Sequence, residues 1–206
     1  MLSAVAVANY FISRALTENT VDVNASKLHE LSYLAQGWHI GQTGKPLLRS
    51  AVSAARDGVL VPELKEQGCW GTRRIETLIS VYEPDPAGAM QAHTPQLGPA
   101  DPALPTLAWI WDTFGALSPF ELNRLTRETG APWDKVWHHA SRTREEAYDI
   151  PFEVLKKWFF AEVHLHRARA NRDAGLSDTG KLRTSDAREI TQRFVPPPES
   201  DDLRPL

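Results

Sequence analysis

The stretch Asn24-Ala-Ser-Lys-Leu-His-Glu-Leu-Ser-Tyr-Leu-Ala-Gln-Gly-Trp-His39 decides the fold. Leu28, Leu31, Leu34, Ala35 and Trp38 recur in it at spacings of three and four, which is one apolar stripe of an α-helix. Asn24 is placed to accept a hydrogen bond from a free N–H of the first turn. Gly37 predicts the stop, because a left-handed residue often ends a helix. The pattern therefore predicts a core helix over about residues 25–37, with the rest of the chain packed around it.

Upstream, Val5, Ala8, Phe11, Ile12, Ala15 and Leu16 predict a helix from about residue 3 to 17. Downstream, Gly41-Gln-Thr-Gly-Lys-Pro46 reads as a turn. Ala51, Val52, Ala54 and Ala55 suggest a short helix over 49–57, ended by Gly58. Val59-Leu-Val61 is extended, because Pro62 biases its predecessor away from helix, and Pro62 then suits the first position of another helical turn. Residues 75–81 fit helix or strand equally. Pro84, Pro86, Pro95, Pro99, Pro102 and Pro105 forbid regular helix, so 84–105 is expected to be a long surface loop.

Helix returns at Leu107–Phe114. Ser118-Pro119-Phe120-Glu121 is a capping-box start for the next one, with Leu122 and Leu125 facing the core. Gly130 stops that helix and a short segment runs from Trp133 to His139. A last long helix is expected from Pro151 to Arg172, burying Phe152, Leu155, Phe159 and Val163. Beyond Gly175 the chain is poor in apolar residues and ends in Pro196-Pro-Pro198 and an acidic run, the composition of a flexible tail, with a short helix expected over Ser185–Phe194. The expected fold is mainly α. It is a single compact domain of about six to eight helices over 1–175, with a long Pro-rich loop and a flexible tail over 176–206.

A 42% hydrophobic content among 206 residues suffices for one sizeable core. The net charge of −3 gives no global attraction to nucleic acid or membrane. Cys69 is alone, which excludes an internal disulfide and a cysteine metal cluster. The run Ala4–Ala8 lacks a preceding basic residue and is broken by Asn9, Ser13 and Arg14, so it does not read as a signal peptide. No apolar run reaches the length that crosses a bilayer. These features point to a cytoplasmic protein.

An ordered series of segments resembles a known family. The segments are Val7-Ala-Asn-Tyr-Phe-Ile12, Lys27-Leu28 with Leu31, and Tyr33-Leu-Ala-Gln-Gly-Trp38; then Ala54 with Gly58-Val-Leu-Val-Pro-Glu-Leu64; then Leu117-Ser-Pro-Phe-Glu-Leu122, Leu125-Thr126, Pro132-Trp133 and Ile150. Together they resemble the Panacea domain, the SocA-like antitoxin family often found in phage and prophage genes. The chain departs from that pattern at Glu30, where a lysine is usual, at Gly58-Val59-Leu60, where Gly-Pro-Val is usual, and at Arg127, where a histidine often stands. If those positions touch a partner, partner choice has changed.

The resemblance implies an antitoxin that binds and silences a cognate protein toxin. SocA-like members also serve as adaptors that deliver the toxin to an AAA+ protease. It implies no enzymatic activity, no cofactor and no catalytic residue.

The residues themselves suggest no other chemistry. His138 and His139 are adjacent and His164 and His166 are two apart, so neither pair shares a helix face as metal-binding pairs do. Cys69 lies in no recognisable nucleophile motif, and Ser118 reads as a helix cap. Seven tryptophans is a high count, and those in loop or short-helix settings read equally as interface anchors or as lids on the core. The candidate partner-binding residues are therefore Trp70, Trp133 and Trp137, with Arg167, Arg169 and Arg172 at the cationic end of the last helix. The toxin-binding surface is expected to draw on loop 84–105, the Trp70 region and the last helix with its tail. The arginines also support an alternative function, a DNA-binding regulator of its own operon, weakened by Glu153, Glu162 and Asp173 nearby.

Overall fold

The structure, a computed structural model, describes residues 1–18, 23–140 and 146–173. Seven helices and five short strands follow in the order α1 (Ala4–Glu18), α2 (Ala25–Thr43), β1 (Ser53–Ala55), β2 (Gly58–Leu60), α3 (Pro62–Glu66), β3 (Val81–Pro84), β4 (Met90–His93), α4 (Leu104–Phe114), α5 (Pro119–Thr126), α6 (Pro132–Ala140), β5 (Ala147–Asp149) and α7 (Phe152–Asp173). The expected tail and its short helix lie outside the described residues, as do residues 19–22 and 141–145.

Helix α2 is the axis of the fold. Its Asn24 cap accepts from the Lys27 N–H at 2.9 Å, as the sequence predicts. It runs six residues past Gly37 and ends at Gly44, which takes the left-handed conformation with φ 71°. The predicted stop at Gly37 and the predicted turn over Gly41–Pro46 are both corrected by this. Gly37 and Gly41 instead let α7 come close. A Cβ on Gly37 would sit 2.1 Å from the Phe159 ring, and one on Gly41 would sit 2.5 Å from the Phe159 carbonyl oxygen. Small residues one turn apart thus replace a stop signal with a tight helix crossing.

Nearly every side of α2 is covered, including the positions of Lys27, His29, Glu30, Ser32 and Gln36. A helix buried all round cannot show a single apolar face, so its polar side chains turn to partners inside, although the Ser32 hydroxyl makes no hydrogen bond among the described residues. Gln36 does so by accepting the Leu47 and Leu48 N–H groups through Oε1, each at 2.8 Å. Around it, α1, α4, α5 and α7 close one continuous core that contains Phe11, Leu31, Tyr33, Trp38, Phe114 and Phe159. Ser118 and Glu121 form the predicted capping box at the start of α5.

The expectation of a mainly α protein is overturned: the fold is mixed, with two small sheets. In the first, the order is β2-β1-β5, all antiparallel, with Ala55 opposite both Gly58 and Ala147. The alanines of 51–55 have helical propensity, but Ala54 is fully buried and packing decides. Arg56-Asp57 makes a two-residue turn into Gly58, whose φ of 138° is closed to other residues. In the second sheet β3 pairs with β4, Val81 opposite His93 and Pro84 opposite Met90. The prolines of the expected loop therefore stop helix without stopping a hairpin. Pro84 ends an edge strand, Pro86 lies in the turn, and Pro105 lies in the first turn of α4, places where a missing N–H costs little.

Candidate functional site

An open groove of about 750 Å³ lies between the first turns of α2, the β1–β2 hairpin, the loop 70–72 and Trp137 of α6. Its most accessible aromatic is Trp70, 76% exposed. Local geometry holds it outward. Gly68 and Gly71 flank Cys69-Trp70 with φ of 75° and 90°, and between them Cys69 turns in while Trp70 turns out. Cys69 is tied on both sides: its N–H donates to the Leu64 carbonyl at 3.0 Å and its carbonyl lies 3.0 Å from His29 Nε2. Burial pushes the Cys69 thiol up to about 11, which disfavours the thiolate form.

His29 and Glu30 form the floor. The Val61 N–H donates to His29 Nδ1 at 3.0 Å. That nitrogen is thus an acceptor, Nε2 carries the proton, and Nε2–H donates to the Cys69 carbonyl. Burial lowers the His29 pKa, in keeping with this neutral tautomer. Glu30 is 1% exposed. Its Oε2 accepts from the Thr126 hydroxyl at 2.7 Å and its Oε1 from Asn123 Nδ2 at 3.1 Å. The Val59 N–H also faces the carboxylate and favours its charged form. Burial outweighs these donors and the field of Arg127, and it raises the Glu30 carboxyl to about 7.

Neighbouring helix residues therefore serve two alternate N–H groups of the chain along β2, Val59 and Val61. In a two-residue hairpin these groups point away from β1.

Two positions that depart from the resembled family, Glu30 and Arg127, meet at this floor beside Gly58, which the family pattern shares. Asn123 donates to Glu30 and to the Asp57 carbonyl at 2.7 Å, and its Oδ1 accepts from Arg127 at 3.3 Å. The Arg127 guanidinium lies 4.1 Å above the Trp133 ring. A Cβ on Gly58 would sit 2.2 Å from Asn123 Nδ2 and 2.9 Å from Glu30 Oε1. Glu30, Gly58 and Arg127 are thus mutually fitted parts of one support.

Of the candidate residues taken from the sequence, Trp70 and Trp137 line the groove. Trp133 is 2% exposed and stands behind it, stacked on Trp137 at 5.7 Å and donating from Nε1 to the Ala55 and Gly58 carbonyls at 3.0 Å each. Arg167 is exposed on α7, away from the groove lining, and the side chains of Arg169 and Arg172 lie outside the described residues. Sequence reasoning missed His29 as a functional support and met Glu30 only as a departure. The available signal was only two adjacent polar residues set between Leu28 and Leu31 of the apolar stripe.

Among the described residues no helix is long and apolar enough to cross a membrane, and no three His, Cys, Asp or Glu side chains are grouped as metal ligands. The His138 and Asp134 side chains pair at 3.1 Å, and the His164 ring packs 4.2 Å from that of Phe160. No family model, curated protein or solved structure matches the chain, so the family resemblance rests on the quoted segments alone.

Proposed function

We propose that this chain is a cytoplasmic antitoxin that binds a cognate protein toxin and silences it by covering it. The order and spacing of the segments from Val7 to Ile150 carry the reading. The groove supports it: a tryptophan three-quarters exposed, fixed by flanking glycines and a tied carbonyl, is the kind of rigid aromatic that anchors a protein interface. Such an interface buries on the order of 800 Å² on each side. Its strength lies mainly in slow dissociation. The adaptor role toward an AAA+ protease belongs to the same reading and assigns no chemistry to this chain.

Co-expression with the protein encoded next to it tests the reading. A toxic neighbour rescued by this chain, with rescue weakened by Trp70→Ala at unchanged melting temperature, is the expected result. A harmless neighbour that does not co-purify overturns it.

A further inference from the structure

The β3–β4 hairpin is built as a stiff arm. At its base Asn9, buried in α1, donates from Nδ2 to the Ile79 and Pro95 carbonyls at 2.9 and 2.8 Å and accepts the Ile79 N–H at 2.8 Å. The Ser80 and Thr94 hydroxyls meet at 2.9 Å just beyond. At the tip, Asp85 Oδ1 accepts the Ala87 and Ala89 N–H groups and Oδ2 accepts from Gln91, at 2.9, 2.9 and 3.0 Å. Gly88, with φ 83°, donates to the Asp85 carbonyl at 2.8 Å. Between clamp and tip every strand residue except Val81 is exposed.

One face of this arm is apolar. Alternation along the strands and the register put Tyr82, Pro84, Met90 and Ala92 on the same side. Tyr82 is 67% exposed and Met90 is 61% exposed. Their conformational cost of binding is already met by the clamped base and the tied turn. The other feature is charge. The arm carries Glu83 and Asp85, and no Lys or Arg occurs anywhere from residue 75 to 123.

We infer that the hairpin's Tyr82–Met90 face docks into an apolar cleft bordered by Lys or Arg side chains on a second, different protein. The inference rests on the binding-protein reading above and makes the arm a contact separate from the Trp70 groove. The acidic arm repels nucleic acid. A two-fold pairing with another copy of this chain would bring together two acidic arms with no Lys or Arg between residues 75 and 123 to offset them, which disfavours self-association. A basic-rimmed partner satisfies both the apolar face and the charge.

The test has two arms, both on the full chain. In the first, the neighbouring gene product is titrated with wild type and with the Tyr82→Ser/Met90→Ser double variant. At least tenfold weaker binding with an unchanged melting temperature is expected, and Glu83→Lys should weaken binding further as salt is lowered. In the second, a photo-crosslinking amino acid replaces Tyr82 in cells that carry the natural gene neighbourhood. A cross-link to the neighbouring protein is expected. Equal binding of wild type and double variant, with no cross-link, overturns the arm and leaves the antitoxin reading standing. If wild type does not bind the neighbour, that reading falls. A polypeptide cross-linked from position 82 then supports the arm only if, once identified, it binds wild type at least tenfold more tightly than the double variant; no such partner, or a cross-link to a second copy of this chain, overturns it.

Discussion

Glu30→Gln removes one proton-binding site from the floor of the groove while keeping its hydrogen bonds. The new amide can keep its oxygen toward Asn123 and turn its nitrogen toward Thr126. The Thr126 hydroxyl then swings to its second acceptor, the Asn123 carbonyl at 3.2 Å. The wild-type carboxyl is raised by burial from its ordinary 4.5 to about 7. Between those values the native state holds a proton that the unfolded chain has lost. Native stability therefore falls as pH rises from 4.5 through about 7, by about 3 kcal/mol in total at 1.36 kcal/mol per pH unit. Glutamine does not titrate.

Urea denaturation followed by tryptophan fluorescence at pH 5, 6, 7 and 8 gives the stability of both proteins. The stability of Glu30→Gln minus that of wild type should rise by about 2 to 3 kcal/mol from pH 5 to pH 8, the span that remains above pH 5. Contributions of other groups cancel in that difference. A difference that stays constant across the series refutes the reasoning, because the carboxylate would then be as well stabilised inside as in water.

His29 tilts the other way. Its pKa is lowered, so stability present above 6.5 is lost as pH falls below that value; in the Glu30→Gln background, His29→Gln should flatten the remaining acid slope in the same urea series. Gly58→Ala meets both a φ of 138° and the Asn123 amide, and should cost about 2 to 3 kcal/mol by denaturant midpoint, with Asn123→Ala relieving only the clash. Gly37→Ala pushes on the Phe159 ring and should cost about 1 to 3 kcal/mol, partly restored by Phe159→Leu in a thermal melt. Ser118→Ala removes a capping box and should cost about 1 kcal/mol.

What the sequence made legible was local. The stripe of α2, the Asn24 cap, the Ser118 box and the stripe of α7 all depend on residues within a few positions of each other, and they are found where expected. What it hid was non-local. His29, Glu30 and Gln36 resemble a solvated face until their partners, 11 to 96 residues away, close over them. Strands of three or four residues are too short to display an alternation of period two, so β1, β2 and β5 carry no pattern of their own. Gly37 carried the wrong message for a similar reason. The same absence of a side chain serves a helix end or a helix crossing, and only Phe159 distinguishes them. Trp70 was legible as a loop aromatic, whereas its outward direction is set by glycine conformations.

The service that α2 gives to β2 has a further consequence. A short sheet normally leaves a bare rim that invites strands from other molecules. Here the β2 rim is covered by an imidazole that takes the Val61 N–H and by the carboxylate that the Val59 N–H faces. Fraying of the first turns of α2 would therefore withdraw the seal at the moment it uncovers Leu28 and Leu31. Local melting and the onset of aggregation become a single event, started at one helix end.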